Sequence, residues 1–314
     1  MSPPGHPVQP DVRSPRRGLW AVVGLPYFWL VLFFLLPFLI VLKISVSEME
    51  TVNFKDVLTF QDGVLALSLK LSNYAALVQD DLYFLTYLSS LKYATVTTVL
   101  CLLIGYPFAY FMARARSSVQ PALLMLVMLP FWTSFLLRVY AWKGLLSDHG
   151  WVATALAASG LDKALLALNL IPAKGQLMNT PFSLVLGMTY TYLPFMILPL
   201  YSNLAKMDLR LLEAASDLGA SAWVAFRTIT VPLSKAGIIA GAMLVFIPCV
   251  GEYVIPELLG GPQTQMIGRT LWDEFFSNND WPMASAVAVA MVLLILVPLA
   301  IFSKYQAEAT EAQR

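Results

Sequence analysis

The sequence predicts an all-α membrane protein with six transmembrane helices, and three observations carry that prediction. Hydrophobic residues make up 58% of the 314 and charged residues only 12%, whereas a soluble domain carries about 25% charge. The apolar residues gather into runs long enough to cross about 30 Å of hydrocarbon, which takes about 20 helical residues. Lysine and arginine are distributed unevenly between the two sets of joining loops, which orients a multi-span chain.

The spans fall at about 19–44, 88–113, 120–146, 181–205, 236–256 and 281–303. They form one membrane domain over 19–304, with tails at 1–18 and 305–314 and a polar loop at 206–235. The first tail is proline-rich and basic, like the start of a signal peptide. The apolar run behind it, however, is far longer than a signal core of about 7–15 residues, so it is read as a retained helix. Spans one, two, four and six have charge-free cores, whereas span three holds Arg138 and span five holds Glu252. The apolar stretch at 151–171 is cut by Asp162 and Lys163. Its pieces of about ten residues are too short to cross, and it reads as interfacial helix on an outer loop.

Arg13, Arg16 and Arg17 precede span one, and Arg114 and Arg116 follow span two. Lys206, Arg210, Arg227 and Lys235 follow span four, and Lys304 and Arg314 follow span six. All fall on one side, which the bias of basic residues makes cytoplasmic, so both termini are predicted inside. The opposite loops hold Lys55, Lys70, Lys163, Lys174 and Arg269 against Glu48, Glu50, Asp56, Asp62, Asp80, Asp81, Asp148, Asp162, Asp273, Glu274 and Asp280. The outer face is therefore acidic.

Several functions are excluded. A net charge of +1 lacks the clustered basic face that nucleic acid requires, which leaves membrane lipid as the surrounding partner. No phosphate-cradling Gly-x-x-x-x-Gly-Lys-[Ser/Thr] occurs, so ATP of that class is hydrolysed elsewhere. His6 and His149 are the only histidines, too few and too far apart for a two-histidine metal site, and no metal or other cofactor is expected on this chain. No Gly-x-Ser-x-Gly elbow is present, so no catalytic residue is assigned. Cys101 and Cys249 both lie within spans, without metal or disulfide spacing, and read as packing residues.

The loop at 206–235 carries its own folding signals. Asp208 is placed to cap a helix over 209–218, and Gly219 to end it in the left-handed conformation. Ser221 is placed to cap a second helix running to about Thr230, which Pro232 stops because its ring and missing N–H disrupt a helix interior. Leu211, Ala214, Ala215 and Leu218 share one face of the first helix as an apolar stripe. The product is a helix-glycine-helix elbow.

Within it, Glu213-Ala214-Ala215, three residues, Gly219, nine residues, then Ile229-Thr230-Val231-Pro232 match the EAA signature of permease subunits in ATP-driven ABC importers, with Val231 where leucine is commoner. The resemblance extends over nearly the whole chain. LPYFWLVLFFLLPFLIVLKIS, LPFWTSFLLRVYAW and MLVFIPCVGEYVIPELLGGPQTQMIGRTLWDEFFSNNDWPMASAVA resemble the permeases of bacterial putrescine and spermidine importers, the putrescine type most closely. The resemblance implies the type I importer permease fold in a bacterial inner membrane. It implies that Glu213, Ala214, Ala215, Gly219, Ile229 and Pro232 form a coupling helix that docks on an ATPase subunit. It also implies a second, related permease, two copies of the ATPase holding ATP and Mg, and a periplasmic polyamine-binding protein.

An ionisable residue inside a span costs several kcal/mol unless it meets a cavity or a partner. Counted along straight helices, Arg138 lies roughly 25 Å from the start of span three and Glu252 roughly 24 Å from that of span five. At similar height the two could pair, fixing helix packing. Alternatively, Glu252 faces the pathway as a carboxylate attracting a diammonium ion, with Glu257, Asp273, Glu274 and Asp280 extending the attraction outward. Aromatic faces hold cations through their quadrupoles, making Tyr253, Trp272, Tyr190 and Tyr192 candidates; as interfacial or core aromatics they would serve packing instead. Pro248 and Gly251 would loosen span five beside Glu252, and Gly237 and Gly241 allow close helix approach. The competing readings are an importer for another small solute and an ATP-independent channel or carrier, for which the coupling elbow would have no purpose.

Overall fold

The structure, a computed structural model, describes residues 16–50, 53–54, 58–61, 64–67, 70–148 and 150–311. Most of the first tail, with His6 and Arg13, lies outside these residues, as do Lys55, Asp56, Asp62, His149 and the closing stretch 312–314. Among the described residues, four helices are long and apolar enough to cross a membrane: Val22–Ser45, Asp81–Arg114, Pro181–Leu204 and Trp281–Ala300. Two further apolar pairs are bent, Gln120–Trp132 with Phe135–Leu145 and Ala222–Leu233 with Lys235–Val250, and the count reaches six when each pair is taken as one span, the first member of the second pair lying in the 206–235 loop.

The first crossing joins α1 (Arg16–Leu30) to α2 (Leu36–Ser45) through one π-turn at Val31–Leu35. Pro37 stands two residues beyond that turn, and the wider winding accommodates a residue that cannot donate. The following loop departs from the all-helical expectation. Strand β1 (Met49–Glu50) pairs with β2 (Asn53–Phe54), and β3 (Leu58–Gln61) with β4 (Val64–Leu67), each pair antiparallel. Helix α3 (Ser72–Gln79) leads into α4 (Asp81–Arg114), whose start is capped by Asp80 accepting from Leu82 N–H at 2.9 Å.

Span three is not the single helix expected over 120–146. Helix α5 (Gln120–Met128) tightens into a 3-10 turn at Leu129–Trp132 around Pro130, and α6 (Phe135–Leu145) leaves at 86°. The outer apolar stretch does form short helices, α7 (Trp151–Ser159) and α8 (Leu161–Ala167). They divide at Gly160, which has φ 73°, rather than at the Asp162–Lys163 charges.

The core is a three-helix stack of α4, α9 (Pro181–Leu204) and α13 (Lys235–Val250). A reciprocal Thr180–Ser183 capping box starts α9. Gly237 and Gly241 let α13 approach it closely: a Cβ at Gly241 would stand 2.7 Å from Met196 sulfur, and one at Gly237 2.8 Å from Asn203 Cβ. The packing role read for this pair therefore operates within the chain, against α9. Cys101 and Cys249 are fully buried free thiols in the same stack, as their packing assignment requires. The last crossing, α16 (Trp281–Glu311), packs against α2 and continues as helix into the segment read as a tail.

Candidate functional site

The polar loop folds as α10 (Arg210–Asp217), α11 (Ala222–Ala225), a π-turn at Phe226–Thr230 and α12 (Val231–Leu233). Asp208 accepts from Arg210 N–H at 3.0 Å at the start. At the other end Ala220 N–H reaches Ala215 carbonyl and Gly219 N–H reaches Ser216 carbonyl, both at 2.9 Å, with Gly219 at φ 81°. This is the paired closure that needs a left-handed residue just past the helix. Ser221 then accepts from Val224 N–H at 3.4 Å, so the expected elbow forms. Pro232 does not end the second helix as expected. The π-turn before it absorbs the missing donor, and the chain breaks at Ser234, bending 62° into α13.

The two limbs are held differently. On α10, Glu213 and Ala214 are exposed and Ala215 half-buried, while Leu211 and Leu218 of the apolar stripe are 46% and 89% exposed. The second limb is anchored to α4. Phe226 meets the edges of Tyr106 and Tyr110 at 5.7 and 5.9 Å, and Ser234 hydroxyl pairs with Tyr106 hydroxyl at 2.9 Å. Ile229 is half-buried on this limb and Pro232 is exposed. The anchoring residues were missed in the sequence, although the i, i+4 placement of Tyr106 and Tyr110 on one helix face was a readable signal.

The second constellation lies where α13 stops at Val250 and α14 (Val254–Leu259) begins. Between them Glu252 accepts from Val254 N–H at 3.1 Å and Ile255 N–H at 3.4 Å, capping α14, and Tyr192 donates its hydroxyl to the same carboxylate. Three donors thus converge on this one carboxylate. The break follows Pro248 and includes Gly251, where loosening was expected.

Arg138 does not pair with Glu252. Its guanidinium lies over Phe131 at 5.6 Å and Phe135 at 5.9 Å, and its Nε is buried without a hydrogen-bond partner. The equal-depth estimate assumed straight helices, and the 86° turn before α6 removes that basis.

Downstream, α15 (Ile267–Trp272) carries Arg269 and Trp272 and runs into a π-turn at Asp273–Ser277. Tyr253 stacks on Trp272 with ring centroids 4.4 Å apart, and Trp272 meets Phe276 at 4.0 Å with the rings tilted by 34°. Arg269 Nε lies 2.8 Å from Glu257 Oε2. Asp273 is half-buried. Glu274 is buried with both oxygens engaged, by Tyr83 hydroxyl at 2.7 Å and Asn278 Nδ2 at 3.0 Å, tying this segment to α4. Asp280 caps α16 by accepting from Met283 N–H. Tyr190 packs edge-on against Trp142 at 5.4 Å. The structure thus gathers Glu252 with Tyr192, and Tyr253 with Trp272, while Glu274 and Tyr190 are occupied with packing partners. Arg269 and Phe276 were missed as members of this group.

Residues 16–308 match the family of binding-protein-dependent transport system inner membrane components. The chain belongs to this family. It is a transport-system permease rather than an enzyme. It is 38% identical over 285 residues to the spermidine/putrescine transport system permease protein of Haemophilus influenzae, covering 91% of this chain and 92% of that protein. The same-named protein of Escherichia coli is 37% identical, covering 87% and 92%, and an inner membrane ABC transporter permease protein of that organism is 33% identical, covering 92% and 95%. Among solved structures, a bacterial alginate ABC transporter in complex with its pentasaccharide-bound periplasmic protein superposes with TM-score 0.62 at 18% identity, over 94% of this permease and 96% of that chain. An inward-facing methionine ABC transporter gives 0.51 at 13% identity, over 74% and 95%. These likenesses establish an ABC importer permease fold in an inner membrane component.

Proposed function

We propose that this permease forms half of the translocation pathway of an ATP-driven polyamine importer, putrescine being the first candidate cargo. The observation that carries the reading is the 37–38% identity to spermidine/putrescine permeases along nearly the full chain. The kink supports it: a carboxylate at membrane depth beside stacked aromatic faces suits a cation with an apolar middle. In this reading Glu252, Tyr253, Glu257, Trp272 and Asp273 meet the cargo. A second, homologous permease supplies the other half of the pathway, and a periplasmic polyamine-binding protein delivers from the acidic face.

The exposed stripe of α10 seats in an ATPase subunit, of which the complex holds two, each with its own ATP and Mg, while this chain holds no cofactor. Both termini and the elbow are cytoplasmic. The two limbs have separate roles. Helix α10 makes the contact, and the Phe226–Tyr106–Tyr110 anchor carries its displacement into α4 and the core. The test is purification in gentle detergent with identification of the partners. The wild-type chain should bring down a second permease and an ATPase. Gly219→Val, which forces a β-branched residue into the left-handed region at a cost of about 1–2 kcal/mol, should remain in the membrane and lose the ATPase. Undiminished ATPase recovery with Gly219→Val refutes the coupling assignment.

A further inference from the structure

The acidic, aromatic region beyond the kink contains one cation of its own, and its placement has a consequence for the cargo. Arg269 and Glu257 face a polar cavity of about 300 Å³ lined also by Asn179, Gly261 and Gln265. That volume lies at the small end of the range for ligand pockets, about 300–1,000 Å³. Both side chains are partly exposed, 26% of Arg269 and 39% of Glu257, while the contacting Nε itself is buried. Tyr253 hydroxyl lies within electrostatic range of Glu257, Asp273 and Arg269, so the stacked rings and the ion pair belong to one neighbourhood.

The contact itself is of the weak kind. Arg269 Nε approaches Glu257 Oε2 to 2.8 Å, yet that N–H is not directed into a hydrogen bond. A guanidinium committed to a carboxylate normally aligns two parallel N–H groups with it, and an unaligned contact forgoes most of that strength. The backbone beneath, by contrast, is fixed. A Cβ at Gly268 would stand 2.5 Å from Gly251 carbonyl oxygen and 2.6 Å from that of Glu252, so α15 seats directly on the kink. Arg269 is thus a long, loosely engaged side chain on a rigid platform that reaches the carboxylate five residues beyond Glu252.

We infer that Arg269 is a resident counter-ion: it neutralises Glu257 while the pathway is empty, and an ammonium group of the cargo displaces it. This rests on the polyamine reading above and adds a specificity-determining role to it. A resident cation sets a threshold. A singly charged or inorganic ion gains one carboxylate contact and must displace an attached guanidinium to do so. A diammonium ion of suitable length offsets the displacement with a second contact at Glu252 or Asp273. The displaced guanidinium also remains nearby to reclaim Glu257, which favours release.

The test is equilibrium binding of radiolabelled putrescine to the purified complex of this chain with its second permease and ATPase, without binding protein. Arg269→Gln should bind putrescine about tenfold tighter than wild type, equivalent to about 1.4 kcal/mol, and should become sensitive to competition by a monoamine such as butylamine. The Glu257→Gln/Arg269→Gln double variant should lose the gain. An affinity for Arg269→Gln within twofold of wild type, in a complex whose wild-type form binds putrescine, overturns the inference. So does failure of Arg269→Gln to assemble when Arg269→Lys assembles normally, because the pair would then be a bolt between α14 and α15. A wild-type complex that neither binds putrescine nor imports it with binding protein, yet imports another solute, instead overturns the polyamine reading.

Discussion

In the proposed pathway Glu252 serves two ends, capping α14 and meeting the cargo. Two backbone N–H groups of α14 and the Tyr192 hydroxyl hold it in place, and hydrogen bonds to a charged group contribute about 1.5–3 kcal/mol each when buried. Glu252→Gln keeps an acceptor for the α14 cap and removes the charge. Uptake should therefore fall by at least about tenfold, in line with loss of one charge-assisted contact, while assembly measured by size-exclusion chromatography is unchanged. Arg138→Gln should not restore it, since Arg138 rests on Phe131 and Phe135; restoration would reinstate the ion pair. The sequence made Glu252 legible because a carboxylate in an apolar run is costly wherever it lies. It could not tell which neighbour relieves that cost, because the answer depends on the 86° turn ahead of α6, and one proline and a Thr-Ser pair do not specify an angle. Arg269 was illegible for a different reason. A base in a polar loop is ordinary, and only the fold brings it onto Glu257.

At the scale of elements, the elbow was the most readable feature and also the one whose working the sequence left open. Its caps and glycine are local signals, satisfied within a few residues of themselves, and they appear as expected at Asp208, Gly219 and Ser221. Pro232 was misread because a proline's effect depends on the turn before it. Here, as before Pro37, the chain winds one residue wider, and the helix continues through the proline. The anchor of the second limb is a tertiary contact and had no local signal beyond the tyrosine spacing. Phe226→Ala should separate contact from transmission. With the interlocking ring gone, the ATPase should still co-purify, because α10 is untouched, but ATP hydrolysis should lose its coupling, with uptake per ATP falling severalfold. Equal loss of ATPase binding and uptake would show that α10 depends on the anchor for its own position.

The whole molecule separates a general frame from a particular content. The fold is shared with a chain of the alginate ABC transporter complex at only 18% identity, which is what close helix packing by small residues and apolar side chains permits. The four long apolar helices were legible because hydrocarbon thickness sets span length. The short strand pairs β1–β2 and β3–β4 and the broken third span were not, since short apolar segments fit more than one conformation. In the kink region a carboxylate, stacked aromatic rings and one arginine come together.

The proposed mechanism joins that region to the elbow: chemical energy enters at α10 and moves a polyamine past Glu252. It is tested most directly by uptake of labelled putrescine into proteoliposomes containing the purified complex, with binding protein outside and ATP enclosed or omitted. Uptake should require both ATP and binding protein and should fall when Glu252→Gln replaces the wild-type chain. Putrescine flux that proceeds equally without ATP would contradict the mechanism.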